Sequence, residues 1–252
     1  MELFSRVKTI LFNPKEEWEI IEAENAPHAK VFFGHLLLVA LIPAAAIFFN
    51  YWWAWHSAYT DAINSTIDRM GEYNEAMASL LDTIKEQMPF DAKWGIIMAV
   101  EQLVLILGGV YIAAAVINAL SNQFGVEKNF NRAFALVAYS FTPLCIAGIL
   151  YIFNPLVWLV PYIGLYGLYL LYHGTALQLK PTADKKISCF VISVIVVLAT
   201  WMLLEKAVIP EVKKQIAIAE AKAAYKKAHG GQGIDYKNIE KEIEREIRKR
   251  KY

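Results

Sequence analysis

Apolar residues gather along this chain into five long runs: Val31 to about Trp53, Trp94 to about Leu120, Ala133 to about Phe153, Leu156 to about Leu177, and Ile187 to about Ile209. A helix rising 1.5 Å per residue needs roughly 20 residues to cross a bilayer core of about 30 Å, and each run has about that length. The pattern predicts an all-α fold, a polytopic membrane helix bundle of about five transmembrane helices. Only Asn154 and Pro155 separate the third and fourth runs, which predicts an antiparallel hairpin with almost no loop.

Shorter helices are predicted outside these runs. Leu3, Phe4, Val7, Ile10 and Leu11 recur at three- and four-residue spacing with Arg6 and Lys8 off the stripe, the mark of a short amphipathic helix. Such a helix lies on the membrane surface or packs on the protein's own cytoplasmic ends. Asn13, Pro14 and Glu16 then suit the N-cap, first and third positions of a second helix, Pro14 to about Glu24. Between the first two spans, Ile63, Ile67, Met70 and Met77 begin a helical stripe that Pro89 ends, with Gly71 as a possible break. The chain is thus divided into N-terminal amphipathic, cytosolic helices (1–30), a five-span domain (31–209) containing an extramembrane helical segment (54–93), and a charged helical tail (210–252). In that tail Ile239, Ile243 and Ile247 stand four apart among i,i+4 pairs such as Glu244 and Arg248.

Composition supports the membrane reading: 57% of the 252 residues are hydrophobic, against roughly 45 to 50% in a soluble domain. About 30 largely polar residues precede the first span, so a cleaved signal peptide is not expected there. Cys145 and Cys189 fall inside predicted spans and are expected to be packing residues rather than a disulfide.

Charge sets an orientation. Placing the N-terminus inside gathers nine cations (Arg6, Lys8, Lys15, Lys30, Lys128, Arg132, Lys180, Lys185 and Lys186) on the cytoplasmic side, against three in the outer loops. This satisfies the positive-inside rule. The cationic tail that follows a fifth span argues the other way. The expected location is the cell (inner) membrane with a cytoplasmic N-terminus.

Little in the chain assembles chemistry. Among intramembrane ionisable groups Glu101 is the candidate, roughly 10 Å below the start of the second span at 1.5 Å per residue, with Gln102 beside it. His35 and His173 are expected near span ends, and Glu205 next to Lys206 near the end of the fifth span. The five histidines are scattered without metal-site spacing, and no phosphate-cradling glycine loop or nucleophile elbow is present. No enzyme activity, metal, cofactor or nucleic-acid partner is expected. Gly108, Gly109, Gly164 and Gly167 suit close helix contacts, and Trp52, Trp53, Trp55, Trp94, Tyr51 and Tyr111 suit interfacial anchors. Pro43, Pro143 and Pro161 are expected to bend their spans.

Two stretches carry a resemblance. Asn13-Pro14-Lys15-Glu16-Glu17-Trp18-Glu19-Ile20-Ile21, ahead of five apolar spans, resembles the start of prokaryotic members of the Yip domain family, the Ypt/Rab-interacting membrane proteins. Phe134-Ala135-Leu136-Val137-Ala138-Tyr139-Ser140-Phe141-Thr142-Pro143 resembles that family's Gly-Tyr-Ser-x-x-Pro stretch, with Ala138 in place of the glycine. The motif positions are Pro14, Trp18, Tyr139, Ser140 and Pro143. The resemblance implies a five-span protein with a cytosolic N-terminus, whose eukaryotic relatives bind Rab GTPases and one another. The Asp-Leu-Tyr-Gly-Pro signature of those relatives is absent, so GTPase binding is not carried over. The expected function is non-enzymatic, organising the membrane or recruiting protein partners, with the lipid bilayer, a second copy or another membrane protein as partner. The alternative is a transporter or channel lined by Glu101 and the proline-bent spans.

Overall fold

The computed structural model describes residues 3–54 and 92–228, apart from the side chains of residues 54, 94, 154 and 209–228. The stripe of Ile63, Ile67, Met70 and Met77, Trp55 and the final charged helix lie outside the described residues. Among the described residues every regular element is helical. In order these are α1 (Leu3–Phe12), α2 (Pro14–Glu24), α3 (His28–Val31), a π turn (Phe32–Leu36), α4 (Leu37–Ala54), α5 (Ala92–Leu120), α6 (Phe130–Ser140), α7 (Thr142–Ala147), α8 (Leu159–Gly164), α9 (Tyr166–Gly174), a second π turn (Thr175–Leu179) and α10 (Lys186–Ala228). Short 3-10 turns link α5 to α6, α7 to α8, and the second π turn to α10.

Among the described residues four stretches are helical, long and apolar enough to cross a membrane: His28–Trp53, Gly95–Phe124, Phe130–Ile152 and Ala183–Val208. The remaining apolar run, Leu156 to Leu177, is also helical but divided, into α8, α9 and part of the second π turn. A division of the third run is dictated by Pro143. It has no N–H to give the Tyr139 carbonyl four residues back, so α6 ends at Ser140 and α7 starts afresh at Thr142. Pro43, by contrast, sits inside α4 without ending it.

The chain divides into two units, Met1–Thr200 and Trp201–Tyr252. In the first, α4 packs on α5, α5 on α6, α6 on α9, and α7 on α8. Glycines permit the tightest approaches, as expected for Gly164 and Gly167: a Cβ at Gly167 would lie 2.6 Å from the Ser140 carbonyl oxygen, and one at Gly164 2.7 Å from Leu144. Gly108 differs from that expectation, since a Cβ there would meet nothing within 4 Å. An aromatic cluster joins α5 to α6, with Tyr111 and Phe134 centroids 4.8 Å apart and His28 and Phe130 against them.

Several hydroxyls inside this apolar unit are satisfied by their own helix. Ser121, Thr175 and Ser193 donate to the carbonyls of Ile117, Leu171 and Cys189, each one turn back. Asn50 donates to the Ile152 carbonyl at 3.1 Å, in the 3-10 turn after α7. Cys145 and Cys189 are buried and free. In the second unit the Trp201 indole N–H donates to Glu205 at 2.7 Å. The boundary placed at residue 210 is not a break in the helix, since α10 runs through Pro210 to Ala228.

Candidate functional site

The two stretches of the resemblance, more than a hundred residues apart, meet in space. Trp18 on α2 is fully buried, its ring edge-on to Tyr139 of α6 with centroids 6.1 Å apart. The close approach depends on Gly174 of α9, where a Cβ would lie 2.6 Å from the Trp18 ring and 2.7 Å from Leu136. Pro14 is buried at the start of α2, as the sequence predicts. Asn13 precedes it without making a side-chain cap. Ser140 and Pro143 are buried at the break between α6 and α7. All five motif positions therefore lie inside the protein.

Around Tyr139 the structure brings in residues that hydrophobic patterning did not single out. Arg6 of α1 is only 7% exposed, with its guanidinium 5.7 Å from the Tyr139 ring centroid. It lies 3.0 Å from Glu17, a contact of charges without hydrogen-bond geometry, and donates to Glu24 at 2.5 Å. Glu17 itself is fully buried on α2. Burial pushes its carboxyl above the ordinary carboxylate value, and the neighbouring Arg6 pulls the other way.

The amphipathic stripe of α1 keeps Ile10 buried and Leu3, Val7 and Leu11 half-buried, and departs from its expected facing at Phe4 and at Arg6. Arg6 and Ile10 are buried, while Phe4 is 80% exposed and Phe12 77% exposed. Period-3.6 patterning assumes that water is outside and that charges seek it. Here Glu17 and Glu24 on α2 offer Arg6 partners in the interior. Tyr166 of α9 donates to the Leu11 carbonyl at 2.8 Å, and α2 lies along α9 and the second π turn. The helical pair is thus seated on the bundle, one of the two placements open from sequence.

His35 also departs from expectation. It lies not where water reaches but 98% buried in the first π turn, its Nε2 2.8 Å from the Thr142 hydroxyl and its ring 4.4 Å from that of Tyr139. A π turn widens the helix by one residue and swings a side chain off the regular face, an offset that helical spacing does not reveal. His173 lies at the end of α9 with its ring against Tyr169 and Tyr172. Glu101 and Gln102 are half-buried on α5, and Glu101 has a partner there.

At the rim, Glu22 of α2 accepts from Lys180 at 2.6 Å and stands 3.8 Å from Arg132. Its carboxyl is held below the ordinary value by the Lys180 hydrogen bond and charge. The His28 backbone N–H and ring both meet Asn131 Oδ1 at 2.9 Å. Among the described residues no group of three or more His, Cys, Asp or Glu is placed to hold a metal ion. The arrangement is a joint that fixes α1 and α2 to the ends of the spans through one aromatic pair and one buried ion cluster.

The sequence model of the Yip1 domain matches residues 8–204, a stretch that holds Pro14, Trp18, Tyr139, Ser140 and Pro143. No curated protein and no solved structure matches the chain.

Proposed function

We propose that this chain, which belongs to the Yip1 domain family, is a non-enzymatic integral membrane protein that recruits a membrane-protein partner, or a second copy of itself, through the seated pair α1 and α2. The observation that carries this reading is the pairing of a buried joint with an outward apolar face. Holding Arg6 and Glu17 in the interior fixes the rotation of both helices, so that Phe4 and Phe12 project from the protein. Two large aromatic side chains on a rigid helix are the kind of anchor that helix-on-helix recognition uses.

A cytoplasmic N-terminus belongs to the same proposal. The end of the bundle that receives α2 carries Arg132 and Lys180, and nearby Lys185 donates to the Gln123 carbonyl at 3.0 Å. This concentration of cations at span ends favours the inner side.

A photo-crosslinking residue placed at Phe4 or Phe12 in native membranes tests the recruitment. The expected result is a discrete protein adduct from both positions and none from buried Ile10. Lipid adducts alone, or equal labelling at all three, would overturn the reading.

A further inference from the structure

We infer that α10 is the contact through which two copies of this chain pair, by a parallel coiled coil that begins inside the bilayer and continues beyond it. Exposure gives the first part of the seam. Val191, Ile195, Leu198 and Met202 are between 45% and 58% exposed, whereas Cys189, Ser193 and Thr200 are buried. The four outward residues are spaced four, three and four apart, the d-a-d-a order of a seven-residue repeat.

Within a span, lipid alone covers an outward apolar stripe and asks for no particular spacing in it. What points to a helical partner is that the repeat outlasts the span. The membrane-length apolar stretch ends at Val208, and α10 continues unbroken to Ala228. In that section the sequence turns polar, with Glu211, Lys213, Lys214, Glu220 and Lys222, yet Ile209, Val212 and Ile216 keep the same register at positions a, d and a. Three of the four large aliphatic residues between 209 and 228 thus fall on the seam, and Ala219 and Ala223 extend it until Lys226 ends it. A straight helix drifts about 20° per heptad from a strict seven-residue repeat, so a repeat held from Val191 to Ala223 specifies supercoiling about a partner.

The seam also fits a copy of itself. Two copies inserted the same way bring their α10 helices together in parallel and in register about a twofold axis. The one charged seam position, Glu205 at d, is followed by Lys206 at e. A d side chain enters a hole edged by the e position of the facing helix, so each Glu205 meets Lys206 of the second copy. Seven seam positions carry Val, Ile, Leu or Met. At roughly 60 to 120 Å² each they bury on the order of 400 to 800 Å² per copy before flanking residues are counted, against about 800 Å² per partner in a standard stable interface. This contact uses neither α1 nor α2 and joins copies that are already folded, so it is read from association and not from the stability of one copy.

The test adds one cysteine at a time to the full-length protein and oxidises native membranes with copper phenanthroline. Leu198→Cys, Met202→Cys and Ile216→Cys are expected to give disulfide-linked dimers on non-reducing gels. Leu203→Cys, exposed but off the seam, is expected to give at least about fivefold less, because only seam positions bring Cβ atoms of two copies to disulfide distance. The unaltered chain should give none, since Cys145 and Cys189 are buried. Glu205→Lys in the Leu198→Cys background should cut the dimer about threefold or more, and adding Lys206→Glu should restore it by reinstating the pair with its signs exchanged. Equal dimer from Leu203→Cys and Leu198→Cys, or none from any seam position, would overturn the inference. So would a yield indifferent to both charge changes.

Discussion

The third and last of the long apolar helices have similar hydropathy and opposite surroundings. Phe130–Ile152 has mean hydropathy 2.0 and its most apolar stretch is 72% buried, whereas in Ala183–Val208 the values are 2.6 and 17%. The less apolar helix is the central one. In lipid, apolar side chains gain little by leaving one hydrocarbon environment for another, so hydropathy does not decide which helix becomes the centre. Small residues and polar groups that need partners decide it. The third helix brings Ala133, Ala135 and Ala138 for close approach, and Tyr139, Ser140 and Thr142 in need of company. In the last helix, Ile187, Val191, Ile195 and Leu198 face outward, and Ser193 is satisfied by its own helix.

This contrast is broken most directly by truncating one side chain on each helix. Phe134→Ala, at a fully buried position touching Tyr111, is expected to destabilise the protein by about 3 kcal/mol or more. Ile195→Ala, on the outward face, is expected to change stability by less than about 0.5 kcal/mol. Thermal unfolding of both variants in one detergent checks the pair. Equal losses would show that the last helix is buried too.

The next largest effect belongs to the joint that seats α1 and α2 against the third helix. Arg6→Met leaves the Glu17 carboxyl buried without its ion-pair partner, at an expected cost of about 3 kcal/mol near neutral pH. Replacing Arg6 and Glu17 together by Met should recover most of the loss, because the uncompensated charge leaves with its partner. The sign with pH follows from the direction of the shift. The folded Glu17 carboxyl binds its proton more readily than the unfolded one, so its contribution is complete below the ordinary value of 4.5 and fades as pH rises through the raised value. Removing Arg6 raises that value further. The Arg6→Met deficit should shrink on acidification, and a deficit constant from pH 4 to 8 would contradict a buried carboxylate.

The smallest effect is expected at the rim. Glu22→Gln removes the acceptor that Lys180 and Arg132 share, in a setting open to water and salt. Here the folded carboxyl titrates below its ordinary value, so its contribution is present above that value and lost as pH falls through the lowered one. Unfolding in low and high salt should show a slight deficit for the variant at low salt that disappears at about 1 M, where the screening length is roughly 3 Å.

What the sequence determined by itself was the solvent and the class of fold. Runs such as Val31 to Trp53 are too long and too apolar for a globule of this size, and they specify membrane helices before any packing is known. Pro14 and Pro143 likewise fixed a helix start and a helix break, because a missing N–H acts locally. The two motif stretches were also legible, and the family follows from them and from the match over residues 8–204. What only the tertiary structure decided was which faces turn inward. Arg6 goes in and Phe4 stays out because Glu17 and Glu24 wait on another helix. His35 reaches Thr142 because a π turn shifts its register. Gln178 and Arg132 share a cleft because distant segments end at the same level. Water-to-lipid transfer is written residue by residue, whereas the pairing of polar groups inside a medium without water is a property of the assembled helices.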